Sequence, residues 1–345
     1  MSRWVEAHFY PERPPSGAAR LLRSPLALAA GWIGANVSVR NWLYDRGLWR
    51  TQRVEGLRVI SVGNLTAGGA GKTPVVIHLA ERLLRTGARV AVLSRGYGRR
   101  ARSVVYVRGP PWPPVEQTGD EPLLLARRLP GLDVWVGRDR VELARRARAA
   151  GATVALLDDG FQHRRLGREV NLVVLDEAVG LGTGHLIPWG PLREPPSALA
   201  RASLLWVRSA DRPVALPPLP PGLPLLRARH AASELVGPDG ATRPLSALRG
   251  SRVVGFCGIA RPSSFDRTLA GLGAEVLSVR AFPDHHAFRP ADLADLRATA
   301  TGAGAELVTT EKDAVRLPAG FPTWVVRLGV TVLSGEDQLA RALAS

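Results

Sequence analysis

The stretch RVISVGNLTAGGAGKTP, residues 58–74, decides the fold of this chain. It opens with a strand-like run (58–62), continues through a glycine-rich turn and ends at Pro74, which suits the first turn of a helix. A strand, a glycine loop, Lys-Thr and a helix in this order wrap backbone N–H groups around the oxygens of a phosphate chain. The stretch therefore predicts a phosphate-binding loop at the end of a buried strand.

The residues of this loop have separate expected roles. Lys72 reaches the β- and γ-phosphates of a nucleotide, and the Thr73 hydroxyl holds Mg²⁺. The expected nucleotide-binding residues are Thr66, Gly68, Gly69, Ala70, Gly71, Lys72, Thr73 and Pro74. The generic pattern G-x-x-x-x-G-K-[ST] requires glycine at position 66, where this chain has threonine, and the alternative is an ordinary glycine-rich turn. We favour the phosphate site because this loop holds one of only two lysines in the chain.

The segments around the loop predict an α/β fold. Continuous apolar runs alternate with helical patterns, which favours a P-loop NTPase-like, doubly wound and mainly parallel sheet. The strand-like runs are 58–62, 89–93, 133–136, 153–157, 171–175, 204–207, 252–256, 274–279, 306–310 and 323–328. Residues 211–224 (DRPVALPPLPPGLP) are interpreted as a linker because proline interrupts helices and sheets. The predicted units are an N-terminal helical segment (1–50), a core domain (51–210), this linker and a second, smaller α/β domain (225–345).

The first 50 residues differ from the rest of the chain. Residues 25–39 carry no charge and are flanked by arginine and tryptophan, but they fall short of the about 20 residues that span a bilayer. Such flanks are typical of a helix that lies in a membrane interface. The alternative is a helix buried in an ordinary core.

Composition narrows the class of partner. The formal net charge of +16 favours anionic partners: nucleic acid, phosphate-bearing substrates or an acidic membrane face. Almost all of the positive charge is arginine, which weakens it as evidence for nucleic acid, and the sequence has no recognisable nucleic-acid-binding motif. The single cysteine, Cys257, excludes a disulfide framework and a multi-cysteine metal site.

Two aspartates follow the strand-like run 153–157. An apolar strand that ends in Asp has the form of a Walker B element, so Asp158 or Asp159 is expected to hold Mg²⁺ while the other faces the substrate. The alternative is that both cap the following turn. Arg95 and Arg99 also follow a strand end, where open α/β sheets place ligands. Nucleotide binding alone does not name a reaction.

Further motifs, taken in order, resemble a known family. They are SVGNLTAGGAGKTP (61–74), LSRGYGRR (93–100), GDEPLLLARR (119–128), VGRDR (136–140), LDDGFQHRRL (157–166), DEAVGLGTGHLIPWGPLREP (176–195), FCGIARPSSF (256–265), FPDHHAF (282–288) and TTEKDA (309–314). This series resembles the tetraacyldisaccharide 4′-kinase family, inner-membrane enzymes of lipid A synthesis. The resemblance extends from about residue 15 to the C-terminus, and the family shares the departure at Thr66.

The resemblance implies a reaction and a set of residues. The γ-phosphoryl group of ATP passes, with Mg²⁺, to the 4′-hydroxyl of an acylated glucosamine disaccharide 1-phosphate, which forms lipid IVA. Asp120 is expected to be the base, oriented by His285, and Glu194 a further metal-side carboxylate. The implied substrate-binding residues are Asn64, Arg95, Arg99, Gln162 and His163. We expect a monomer on the cytoplasmic face of the bacterial inner membrane, against its anionic lipids.

The residues by themselves leave alternatives open. Asp120 could cap the helix that begins near Pro122, and His285-His286 could be a solvated turn. A P-loop GTPase or metallochaperone-type switch is the alternative function, but its guanine-specifying Asn/Thr-Lys-x-Asp element does not fit the spacing around Lys312. A nucleic-acid-binding ATPase is favoured by charge alone.

Overall fold

The computed structural model describes residues 8–10, 24–259 and 262–344. The strands are β1 (Arg58–Gly63), β2 (Val90–Ser94), β3 (Val105–Val107), β4 (Asp133–Val136), β5 (Val154–Asp158), β6 (Val170–Asp176), β7 (Leu204–Arg208), β8 (Leu225–Val236), β9 (Thr242–Arg243), β10 (Arg252–Cys257), β11 (Glu275–Ala281), β12 (Glu306–Thr310) and β13 (Trp324–Ser334). The α-helices are α1 (Ser24–Asp45), α2 (Lys72–Arg85), α3 (Val115–Thr118), α4 (Asp120–Arg128), α5 (Arg140–Ala149), α6 (Pro262–Gly271), α7 (Pro290–Gly302), α8 (Glu311–Ala314) and α9 (Glu336–Ala344). Short 3₁₀ helices lie at Pro196–Arg201 and Leu245–Leu248.

All of these strands join one sheet. Its order is β11-β10-β12-β13-β8-β7-β6-β1-β5-β2-β4-β3, and β9 pairs with β8. The central strand β1 is parallel to both β5 and β6, and its buried Ile60 and Val62 pack against α2. The register sets Val62 opposite Asp158, so the loop after β1 and the end of β5 lie side by side. The mainly parallel α/β fold predicted from the sequence is confirmed.

Two long strands connect the first half of the sheet (β1–β7) to the second half (β10–β12). β8 pairs in parallel with β7 over its first residues and then antiparallel with β13, which also pairs with β12. The last helix, α9, returns to the first half, where Leu339 is buried among core residues of α2 and β1. Residues 211–224 contain no helix or strand and lead into β8. The division into two domains at this segment stays a prediction.

Helix α1 is longer than the uncharged stretch that predicted it. Its apolar surface is largely open to solvent: Leu28, Trp32, Val39 and Trp42 are all more than half exposed, and Trp32 reaches 72%. Its C-terminal part is attached to the first half through hydrogen bonds of Arg40 and Asn41 to Glu194. Among the described residues, no helix combines the length and the hydropathy needed to cross a bilayer.

Candidate active site

The glycine-rich loop follows β1 directly and closes onto the first turn of α2. Gly71 precedes Lys72 with φ 81°, a conformation that favours glycine. The Asn64 amide donates to the carbonyl of Thr66 at 2.8 Å, which ties the two ends of the turn together. Lys72 Nζ donates to Asn64 Oδ1 at 3.1 Å and lies 3.3 Å from Asp159. The loop therefore presents its ammonium group toward the end of β5.

The tandem aspartates at the end of β5 have different surroundings. The Asp158 carboxyl is buried and accepts a hydrogen bond from the Ser94 hydroxyl at 2.9 Å. Its burial, then the nearby carboxylates of Glu121 and Asp159, raise its pKa to about 7. Arg193 Nη1 lies 2.9 and 2.8 Å from the two Asp159 oxygens. Burial opposes ionisation of Asp159, but Lys72 and Arg193 outweigh it and lower the pKa of this carboxyl to about 2.

Asp120 begins α4 and faces the second half of the sheet. Gly119 is the N-cap residue of α4, and no side chain caps this helix. Asp120 is therefore not the helix cap, and its carboxylate binds other residues. Arg316 donates from Nε to Asp120 Oδ1 at 2.7 Å, and both Arg316 Nη2 and His285 Nδ1 contact Oδ2. Burial opposes ionisation, but the hydrogen bonds from Arg316 and His285 lower the pKa of Asp120 to about 2.

Of the two adjacent histidines, His285 is the one that meets Asp120. His285 has φ 62°, a left-handed conformation that is uncommon outside glycine. The ring of His286 turns away, donates a hydrogen bond from Nε2 to the Asp292 carboxylate at 3.0 Å and stacks on Phe282. A cleft of about 260 Å³ lies beside the pair and is lined by Tyr97, Gly98, Arg100, Val115, Glu116, Gly119, Asp120, His285, Ala287, Phe288 and Arg316.

The loop after β2 connects the two groups of residues. Ser94, at the end of β2, holds Asp158. Two residues on, Gly96 and Tyr97 pack against Gly119: a Cβ on Gly119 would lie 2.9 Å from the Tyr97 carbonyl oxygen. Asp120 is the next residue after Gly119, so the segment after β2 links the tandem aspartates, and the glycine-rich loop beside them, to the Asp120–His285 pair.

The hydrogen-bond donors to Glu194 lie outside the glycine-rich loop, the tandem aspartates and the Asp120–His285 pair. Its side chain is fully buried, and its two oxygens accept hydrogen bonds from Arg40 at 2.9 Å, Asn41 at 2.9 Å and Arg201 at 2.7 Å. In this structure Glu194 therefore holds α1 against the first half, and its metal role stays a prediction. Across the described residues, no group of three or more His, Cys, Asp or Glu side chains is arranged to hold a metal ion.

The remaining expected site residues differ in their surroundings. Gln162 donates to the Asn64 carbonyl at 3.0 Å, which places it beside the loop. Burial, then Arg140 and Arg168, lower the pKa of His163 to about 4, so its ring is neutral at physiological pH. Arg99 is held by backbone carbonyls of Val136 and Ser103, whereas Arg95 is exposed. Lys312, the other lysine of the chain, donates to Asp284 at 2.8 Å, and Asp284 directly precedes His285.

Comparison with known proteins identifies the family. The family model described as tetraacyldisaccharide-1-P 4′-kinase matches residues 20–345. Tetraacyldisaccharide 4′-kinase of Anaeromyxobacter dehalogenans (strain 2CP-C) is 49% identical over 99% of this chain and 94% of its own length. The chain belongs to the tetraacyldisaccharide 4′-kinase family. Tetraacyldisaccharide 4′-kinase of Syntrophus aciditrophicus (strain SB) is 43% identical, over 86% of this chain and 85% of its own.

A solved structure supports the same assignment. The crystal structure of LpxK from Aquifex aeolicus in complex with ATP has 31% sequence identity and a TM-score of 0.80, and the match covers 94% of this chain and 98% of that chain. The resemblance that the sequence motifs indicated is thereby confirmed, and this protein is a kinase of lipid A biosynthesis.

Some residues that contact the candidate site were not among the predicted ones. Arg193 stands inside the quoted motif LREP and could have been found as a basic neighbour of Glu194. Ser94 stands inside LSRGYGRR. Arg316 lies two residues beyond TTEKDA, and nothing in its local sequence distinguishes it from the other arginines of an arginine-rich chain.

Proposed function

We propose that this kinase transfers the γ-phosphoryl group of ATP to the 4′-hydroxyl of a tetraacylated glucosamine disaccharide 1-phosphate, with Mg²⁺, on the cytoplasmic face of the inner membrane. One observation carries the proposal: Lys72 of the glycine-rich loop contacts Asp159, and the segment after β2, which holds Asp158 through Ser94, packs against Gly119 just before the Asp120–His285 pair. Phosphoryl transfer needs these three functions, namely phosphate binding, charge neutralisation and a proton acceptor.

The nucleotide phosphates would bind at the loop. The backbone N–H groups before α2 and the Lys72 ammonium supply positive charge for the β- and γ-phosphates. Lys72 is held between Asn64 and Asp159, so its position is fixed before the nucleotide arrives. A donor that is already in place stabilises the developing charge without reorganisation during the reaction.

Thr73, Asp158 and Asp159 suit a bound Mg²⁺. Asp158 is almost fully buried, and among the described residues the Ser94 hydroxyl is its hydrogen-bond donor. A carboxyl with its pKa raised to about 7 by burial and by other carboxylates is poorly compensated, and a divalent cation beside it would supply the missing positive charge. Hard oxygen ligands of this kind are those Mg²⁺ prefers. When bound, the ion would neutralise phosphate charge and align the β- and γ-phosphates.

The Asp120–His285 pair would take the proton of the sugar hydroxyl. The pair lines the cleft between the two halves, beside Tyr97 and Phe288, and this cleft would receive the acceptor substrate. As the hydroxyl oxygen attacks the γ-phosphorus, the bond to the bridging oxygen of ADP breaks and ADP leaves with that electron pair. The proton passes to the pair.

Helix α1 would bring this site to the membrane. An acylated substrate stays in the bilayer, so the enzyme must work at the headgroup level. The exposed Leu28, Trp32 and Trp42 form an apolar and aromatic surface, and Arg46 lies 5.9 Å from the centre of the Trp42 ring. Tryptophan and arginine at the ends of an apolar helix are typical of the interface with anionic lipids.

The deciding experiment combines the purified protein with γ-labelled ATP, Mg²⁺ and the disaccharide 1-phosphate lipid, followed by chromatography of the lipid fraction. We expect label in a lipid with one more phosphate, and none with Lys72→Ala. Label that appears only as inorganic phosphate, at a rate independent of lipid, would refute the kinase proposal and favour a nucleotide switch.

A further inference from the structure

Residues 8–10, which precede the part of the chain that the family model matches, lie against the segment between β6 and β7. Phe9 is buried, and its carbonyl accepts a hydrogen bond from the Thr183 N–H at 3.0 Å. A Cβ on Gly182 would lie 2.5 Å from the Phe9 carbonyl oxygen and 2.9 Å from Cδ1 of Tyr10, so this close approach requires glycine. Residues 8–10 therefore form a strap that is docked on this segment through backbone contacts.

The strap also reaches the glycine-rich loop. The Tyr10 hydroxyl donates to the Ala67 carbonyl at 3.4 Å, and the Ala67 N–H donates to the Pro191 carbonyl at 2.6 Å. One residue to either side, the Arg193 N–H donates to the Leu65 carbonyl at 2.7 Å. Both backbone groups of Ala67 are thus held from outside the loop, the N–H by the segment before β7 and the carbonyl by the strap.

The loop needs such a restraint at this end because glycine follows. Gly68 and Gly69 are exposed, Gly68 has φ 105°, and a Cβ on Gly69 would meet no atom within 4 Å. Glycine has the largest conformational freedom of all residues, so this span does not fix its own amides. Its far end is fixed by the buried Ala70 and by α2, and its near end is fixed at Ala67.

We propose that Phe9 and Tyr10 are positioning residues, which hold the Ala67 end of the loop so that the loop amides are already arranged for the phosphates of ATP. This inference rests on the part of the proposed function that assigns the nucleotide to this loop. Without the strap, ATP binding has to order the glycine span and loses affinity. The bound complex is then the same, so its rate of phosphoryl transfer stays close to the parent rate.

Two glycines of the segment between β6 and β7 provide a matched pair of substitutions. Gly182 has φ 58° and Gly184 has φ 73°, so alanine is strained at both positions. The Cβ of Gly182→Ala would also collide with Phe9 and Tyr10, whereas a Cβ on Gly184 would meet no atom within 4 Å. It would further meet the Pro191 ring at 2.8 Å, so the double variant Phe9→Ala with Tyr10→Ala, which alters the strap alone, is the primary test.

The test measures the Kd of a fluorescent ATP analogue with Mg²⁺ for the full chain and these variants, together with lipid phosphorylation at saturating ATP and a thermal melt. For the double variant and for Gly182→Ala we expect a Kd raised by about 3- to 10-fold, the scale of one or two lost contacts, and a kcat within about twofold of the parent. Gly184→Ala should keep the parent Kd. A strap that only stabilised the fold would lower the melting temperature and leave the Kd, measured well below it, unchanged.

Defined results overturn the inference. Parent-like affinity in the folded double variant does so, whatever its melting temperature. If the double variant does not fold, the two glycine variants decide, and equal affinities of Gly182→Ala and Gly184→Ala would trace any effect to backbone strain and refute the strap. Because the readout is nucleotide binding, a parent enzyme that binds the ATP analogue but phosphorylates no lipid refutes the proposed function and leaves the result on the strap standing.

Discussion

Replacing Glu194 tests whether this carboxylate holds a helix or a metal. Glu194 is fully buried and accepts hydrogen bonds from Arg40, Asn41 and Arg201. Its removal in Glu194→Ala leaves two guanidinium groups and an amide facing a space without an acceptor. Breaking a buried ion pair from one side costs about 3–5 kcal/mol. For a chain of 345 residues, whose unfolding entropy is about 0.7 kcal/mol per K, the melting temperature should fall by about 4–7 °C.

The same substitution should release α1. Arg40 and Asn41 are the contacts of α1 to Glu194, so limited proteolysis should cleave within Ser24–Asp45 faster in Glu194→Ala than in the parent. Glu142→Ala is a suitable control, because Glu142 forms an exposed i,i+4 pair with Arg146 that contributes only about 0.3–0.5 kcal/mol. Its melting temperature should stay within about 1 °C of the parent.

The assay that could refute this reasoning is a Mg²⁺ titration of lipid phosphorylation below the melting temperature. If Glu194 only fastens α1, the Mg²⁺ concentration at half-maximal rate should stay at the parent value. An unchanged melting temperature together with a Mg²⁺ requirement raised by about tenfold or more would place Glu194 at the metal and contradict the structural role.

Three further predictions follow from the site and the surface. Lys72→Ala and Thr73→Ala should abolish phosphoryl transfer while the melting temperature stays near the parent value; turnover at the parent rate in either variant contradicts the loop assignment. His230 lies against Gly71. Burial, then the charges of Arg208 and His78, lower its pKa to about 3. As the pH falls, this histidine is therefore protonated in the unfolded chain before it is protonated in the folded one. Stability should be fully present above about pH 6.5 and fall toward pH 4 by at most about 1.4 kcal/mol per pH unit, less steeply in His230→Asn by chemical denaturation. The double substitution Trp32→Ser and Trp42→Ser should weaken sedimentation with anionic vesicles, since both rings are exposed, and equal sedimentation would remove the interfacial role of α1.

Most of the first half could be predicted from local sequence because its strands are buried on both faces. Such strands are continuous apolar runs, and each predicted run before residue 211 is a strand whose bounds agree to within two residues. The glycine-rich loop could also be recognised from local sequence, since its glycines, Lys72 and Thr73 are close together in the chain. The run at 323–328 is only the first part of β13, which continues to Ser334 through residues that are more exposed.

The sequence of β8, the strand that joins the two halves, has no continuous apolar run that would predict a strand. β8 has the sequence LLRARHAASELV, in which arginine, histidine and alanine occupy positions where β-branched residues would indicate a strand. Its extended conformation comes from pairing with β7 on one side and β13 on the other. The sequence therefore predicts a linker at 211–224 and no strand directly after it, although β8 is the strand that makes the sheet continuous.

Arg316 shows why the assembly of a site is harder to predict than its components. Asp120 and Arg316 are separated by 196 positions in the chain, and their contact depends on β8 and β13 bringing the second half against α4. The family resemblance implies that Asp120 and His285 form a pair, but a motif does not show which charged residues from elsewhere in the chain surround that pair. Arg316, which lies outside every quoted motif, donates to both oxygens of Asp120 and so sets the charge around the pair. The electrostatic surroundings of a predicted pair are thus a property of the folded chain.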